Sequence, residues 1–262
     1  MEQMLIKYFG NDLKIVFTEK AGHWTKETKL AREYLQEGST YIIPIGGDGI
    51  INEVTNGFFK EVDINNFDSV DFKNIEQEDL VALTDVEPIN PNAMMAILPG
   101  GTRNVMIMSL GLSPDFEECC RKISRPKNFQ KIDVIAAIVM TSNEENSRPR
   151  FRLFVNAAEM GLGAEIIDKF KMVRNQISSR LLSIATEIIA TLPTYKSNIC
   201  EIIEGTIEDK STNKRLLTKK TIGMVSNDSF LGDGFQVATK ADVTDGLPDT
   251  IVIKNSDSFK II

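Results

Sequence analysis

Apolar and polar positions follow two textures along the chain. Up to about residue 127, short apolar runs alternate with amphipathic stretches. Leu5, Tyr8 and Phe9 recur at helical spacing and predict an opening helix. Asp12–Phe17 reads as a strand. Thr25–Gln36 predicts a helix with Leu30, Tyr34 and Leu35 apolar, stopped by Gly38. Tyr41–Ile45 and Ala93–Leu98 are nearly all apolar, as strands covered on both faces are. The second runs into a Gly-rich turn and a helical stretch to about Arg121. Strand and helix signals in alternation predict a parallel sheet covered by helices. Residues 61–92 break the pattern with many carboxylates and little opposing charge. They lack the regular spacing of a calcium loop and read as an acidic surface insertion.

From about Phe129 the texture turns β-rich. Ile132–Met140, Phe151–Val155, Asn198–Ile207, Lys220–Ser226 and Thr250–Ile253 predict strands, with turns at Asn, Asp and Gly. One helical stretch interrupts them, where Ile166, Phe170, Val173, Ile177, Leu181, Ile184 and Ile188 recur every three or four residues and Pro193 ends the run. Packing on a sheet is the favoured reading; a membrane-surface helix with Lys169, Lys171, Arg174 and Arg180 as its basic face is the other. The expected division is 1–127 as an α/β domain and 128–262 as a β-rich domain that continues past Ile262.

Composition narrows the function classes. The net charge of −7 argues against nucleic acid, whose binders need a basic surface. Cys119, Cys120 and Cys200 form neither a disulfide framework nor a zinc motif, which fits a reducing compartment. His23 is the only histidine, so histidine-rich metal sites are excluded. No apolar run is long enough to span a membrane and the N-terminus lacks a signal-peptide core, so a cytoplasmic protein is expected.

The chemistry concentrates in two Gly-rich turns. Ile45-Gly46-Gly47-Asp48-Gly49 joins an apolar strand to the helical Ile50-Ile51-Asn52-Glu53-Val54. Glycines leave backbone N–H groups uncovered, and a helix start favours anions, so the segment has the makings of a phosphate cradle. Asp48 would repel a bare phosphate and makes sense meeting Mg²⁺ or taking a proton from an attacking hydroxyl. The plainer alternative is a tight turn with Asp48 as helix N-cap. Leu98-Pro99-Gly100-Gly101-Thr102-Arg103-Asn104 repeats the strand-turn-helix arrangement. Two such turns in one sheet point to a shared nucleotide cleft.

The segments 45–57 and 99–104 resemble the diacylglycerol kinase catalytic family, which includes bacterial lipid kinases and sphingosine kinases. Phe154–Gly163, Phe230–Phe235 and Ala241–Leu247 continue the resemblance in order over roughly residues 11–255. It implies a Rossmann-like α/β nucleotide-binding domain, a β-sandwich-like second domain, and transfer of the ATP γ-phosphate to a lipid hydroxyl at the membrane surface. By the same resemblance, Gly46, Gly47, Gly49, Asn52, Glu53, Gly101, Thr102 and Asn104 bind the nucleotide, and Asp48 and Asp133 are catalytic. Asp133 also lies on an apolar strand, where a carboxylate is costly unless paired or hydrated. Asp245 matches a Mg²⁺ ligand, with backbone carbonyls at Asp242 and Leu247; the alternative is a plain Asp-Gly turn.

Two positions depart from the family pattern. Ile50 stands where a threonine is usual, and Val105 stands where an aspartate follows the asparagine, which removes one carboxylate. Two other functions therefore stay open: a NAD kinase-like enzyme, which also carries Gly-Gly-Asp-Gly, and a nucleotide- or lipid-binding module without turnover. A homodimer is compatible with any of them.

Overall fold

The computed structural model describes residues 1–11, 13–18, 26–67, 79, 85–101, 103–139, 149–161, 164, 198–204, 214–231 and 235–254. The chain is mixed α/β and forms two compact units, one of Met1–Asn156 with Asn227–Leu247 and the other of Ala157–Ser226 with Pro248–Ile262.

The first unit opens with α1 (Glu2–Phe9) and α2 (Lys26–Gln36). Residues 13–18 form no strand. Leu13 and Ile15 pack against a core of Leu5, Leu98, Cys119 and Cys120. Alternation there reports a buried face, not strand pairing. β1 (Tyr41–Ile42) and β2 (Ile45–Gly46) pair in parallel with β3 (Met94–Met95) and β4 (Leu98–Pro99). The break within each predicted strand falls beside Pro44, which lacks the N–H that a ladder needs. The opposite set of bonds runs through, with Ala96 N donating to Ile42 O and Leu98 N to Pro44 O.

α3 (Asp48–Gly57) crosses between the parallel pairs. The expected acidic loop is pinned at its ends: Lys60 N donates to Glu87 O and Ile89 N to Phe58 O. Ion pairs of Arg32 with Glu61 and Lys60 with Glu87 add to this. Phe67, on a 3₁₀ turn at Ile64–Phe67, is buried and stacks on Phe151. The single helix expected after residue 101 is two, α4 (Val105–Ser109) and α5 (Phe116–Ile123), divided at Gly111 and Pro114. Asp115 caps α5 by accepting from Glu118 N at 2.7 Å. β5 (Ile135–Val139) and β6 (Arg150–Phe154) form an antiparallel pair. A second core gathers Ile51, Ile97, Met106, Ile107 and Val155 directly beneath the two glycine turns.

The second unit is an antiparallel sheet. β7 (Ala157–Gly161), β8 (Asn198–Glu204) and β12 (Asp249–Lys254) all pair with the long β9 (Lys214–Ser226). β10 (Phe230–Leu231) and β11 (Phe235–Gln236) form a short hairpin in the first unit. The helix expected near 166–188, Thr102, and His23 lie outside the described residues.

Candidate functional site

The parallel register sets Gly46 beside Pro99, so both glycine turns leave the same end of the sheet. Their backbones are in contact. A Cβ on Gly101 would collide with Gly47 Cα, and one on Gly100 would lie 2.8 Å from Gly46 N. Gly49 differs, since a Cβ there would meet nothing within 4 Å among the described residues. It belongs to the first turn of α3, where Asp48 and Gly49 have no intrahelical acceptor for their N–H groups. Two donors that have no partner among the described residues fit an anion such as a nucleotide phosphate.

Asp48 does not cap its own helix; Gly47 holds that position. Its carboxylate crosses to the other turn, where Oδ2 accepts from Val105 N at 3.1 Å and Oδ1 from Met106 N at 2.9 Å. These are orphan donors at the start of α4, whose own N-cap, Asn104, makes no side-chain cap bond. Asn104 is left-handed, with φ 49°, and its side chain closes the turn instead. Its Oδ1 accepts from Gly101 N at 2.9 Å and its Nδ2 donates to Gly101 O at 3.1 Å. The Asp48 charge therefore faces the first amides of α4.

Asp48, Asn52 and Asn56 stand at helical i, i+4 spacing and form a polar seam toward β6. Asn52 Oδ1 accepts from Val155 N at 2.9 Å, and its Nδ2 donates to Asn156 Oδ1 at 3.2 Å. Asn56 bonds both N and O of Leu153. Asn52, expected at the nucleotide, braces the strand through both ends of its amide. Glu53 accepts from Thr28 Oγ1 at 2.9 Å on the α2 side, and burial raises its carboxyl above the usual range.

Three buried polar residues were not anticipated as site members: Asn156, Asn227 and Asp228. Asn156 Nδ2 donates to Asp228 Oδ2 at 2.8 Å and reaches Asp48 Oδ1 at 3.5 Å. Asn227 Nδ2 donates to the carbonyls of Val155 and Asp133. The available signal was polar side chains directly following apolar ones at Val155-Asn156 and in Val225-Ser226-Asn227-Asp228.

Asp133 is brought to the 242–247 turn. Its N donates to Val243 O at 2.7 Å, and its Oδ2 accepts from Gly246 N at 2.7 Å. Within the turn, Asp242 Oδ1 accepts from Thr244 N and Oγ1, and Asp245 Oδ1 accepts from Leu247 N. The turn closes on its own hydrogen bonds, which accounts for its shape without a cation. Among the described residues, no group of three or more His, Cys, Asp or Glu side chains is arranged to hold a metal.

The diacylglycerol kinase catalytic domain model matches residues 2–137, more than half of the chain. The chain belongs to the diacylglycerol kinase catalytic domain family. Among solved structures, a diacylglycerol kinase from Bacillus anthracis str. Sterne is 20% identical with TM-score 0.54, covering 100% of this chain and 68% of that one. Two candidate diacylglycerol kinases from the same organism are 21% and 19% identical, with TM-scores of 0.56 and 0.58. They cover 98% and 100% of this chain and 68% and 70% of their own. At this identity the likeness speaks for the fold. No curated protein sequence matches the chain. The region matched to the kinase family contains both glycine turns and Asp133. Asn156, Asn227, Asp228 and the 242–247 turn lie beyond it and reach the site through the fold.

Proposed function

We propose that the chain is an ATP-dependent lipid kinase that transfers the γ-phosphate to the hydroxyl of diacylglycerol or a related lipid at a membrane surface. Family membership supports the kinase class. The observation that carries the ATP reading is the contact of the two glycine turns beside the open, donor-lined position at Gly49. A Rossmann-like nucleotide domain and a β-sandwich-like second domain belong to the same proposal.

In this reading the Asp48 and Gly49 N–H groups hold phosphate, with the turns at Gly46–Gly47 and Gly101–Asn104 shaping the cleft. Mg²⁺ arriving with ATP neutralises charge on the phosphates. Asp48 takes the proton of the lipid hydroxyl at Oδ2, which keeps a lone pair besides the one facing Val105 N, while Oδ1 faces both Met106 N and Asn156 Nδ2. Asp133 is the second acidic group, oriented by Gly246 N. A Mg²⁺ held by Asp245 with the carbonyls of Asp242 and Leu247 is supported by the family resemblance alone. A second reading, binding without turnover, draws support from the structural use of both Asp48 oxygens. The NAD kinase-like alternative gains no support from the comparisons.

The test is transfer of labelled γ-phosphate from Mg²⁺-ATP to lipids in mixed micelles. Asp48→Asn keeps one oxygen acceptor for α4 and should fold, losing about 1.5–3 kcal/mol for the bond to the charged carboxylate. It is expected to abolish transfer. Full activity in that variant would remove Asp48 from the chemistry, and ATP binding without transfer by the parent would establish the second reading.

A further inference from the structure

Residues 121–131, running from the last turn of α5 toward β5, carry five cations and no carboxylate in a chain of net charge −7. Arg121, Lys122, Arg125, Lys127 and Lys131 are all exposed. Lys122 pairs with Glu118 at 3.2 Å. The other four have no ion-pair partner among the described residues. From Arg125 to Lys131 the chain is neither helix nor strand, and every residue is exposed. In the middle stands Phe129, 63% exposed. Two residues after Lys131 the strip reaches Asp133, which fixes the turn that carries Leu247, itself 60% exposed.

We propose that this strip is a docking surface for an anionic lipid bilayer, with the four unpaired cations over the headgroups and Phe129 and Leu247 entering the interface. The proposal rests on the lipid-kinase reading, since it names the surface that brings the acceptor's membrane to the site. Clusters of four to eight Lys and Arg beside an apolar contact are what anionic membranes retain. The overall negative charge does not oppose this. At physiological salt a charge acts over about 8 Å, so the local strip governs the encounter. Asp242 and Asp245 are the acidic groups on the adjoining turn; both are exposed, and each is engaged by a hydrogen bond from a backbone N–H of that turn. RNA is the other polyanion a basic strip could meet. Exposed apolar side chains interleaved with the cations, on a member of a lipid-kinase family, favour the bilayer.

The experiment is cosedimentation of the full chain with vesicles of phosphatidylcholine, alone or mixed with phosphatidylglycerol, beside binding to polyuridylic acid. The parent should bind only the anionic vesicles, less so as salt rises. Reversing Arg125, Lys127 and Lys131 to Glu should weaken that binding on the order of a hundredfold, at about a tenfold change per 1.4 kcal/mol and roughly 1 kcal/mol per cation. Phe129→Ser should weaken it further, whereas Lys26→Glu with Lys29→Glu on α2 should not. All substituted positions are exposed, and a thermal melt checks that the variants fold. No binding to anionic vesicles, an unchanged triple variant, or loss confined to polyuridylic acid would each overturn the proposal. Micelle transfer by the parent decides the kinase reading separately, because vesicle binding needs no turnover.

Discussion

Gly49 and Gly101 belong to matching motifs yet answer to different forces. Gly101 is fixed by packing: a methyl group there would meet backbone of Gly47, which cannot swing aside as a side chain could. Gly101→Ala should cost about 3 kcal/mol or more, read as a drop in thermal midpoint. Gly49 has no such neighbour. In a helix, alanine is favoured over glycine by about 0.5–1 kcal/mol, so Gly49→Ala should leave the melt unchanged or raised. If the first-turn amides hold phosphate, the same methyl intrudes on the ligand, and equilibrium dialysis should show weaker ATP binding. A Gly49→Ala protein that binds ATP like its parent would leave the phosphate cradle without support. The motifs themselves were legible in the chain. The use of Asp48 was not, because its partners Val105 and Met106 lie 57 and 58 residues away and offer only backbone amides.

Elements were legible where one segment settles its own conformation. α1, α2 and the strand pairs announced themselves by periodicity, while Pro44 divided a predicted strand for a reason local to the ladder. β7 was not read because Ala157–Gly161 has little apolar alternation; it is made a strand by pairing with β9. α5 shows the complementary case, in which packing determines reactivity. It buries Cys119 and Cys120 against Leu5 and Leu98, and burial pushes the Cys119 thiol up to about 11. Cys120 is shifted upward for the same reason. At pH 8 a thiol with that constant is thiolate in roughly one molecule per thousand, and reagents react with thiolate. Peptide mass analysis after iodoacetamide at pH 8 should therefore find both cysteines unmodified in native protein and both modified in urea. Rapid native labelling would mean that α5 separates readily from α1 and β4.

At the scale of the whole chain, the unit that carries the site is discontinuous. It closes only when 227–247 returns to 1–156 after the chain has passed through 157–226 of the second unit. Periodicity cannot announce such a return, because polar groups paired across long separations hold it, together with a few buried apolar residues such as Ala238 and Val243. Asn227 is the principal polar group. It is 1% exposed, its N donates to Asn156 O at 2.7 Å, and its Nδ2 serves the carbonyls of Asp133 and Val155 at 3.0 Å each. Removing the amide leaves two acceptors without that donor, each worth about 1–3 kcal/mol if left unsatisfied. Asn227→Ala should accordingly cost about 2–4 kcal/mol in urea unfolding with an unchanged slope. Amide exchange should quicken first at Asp133, Val155 and Gly246, where the returning segment meets the rest of the unit. Because the same segment presents the turn that fixes Asp133, transfer activity should fall in step with that exchange. A cost below about 0.5 kcal/mol, the range of an ordinary surface substitution, would show that the returning segment is held by the rest of its contacts and not by this side chain.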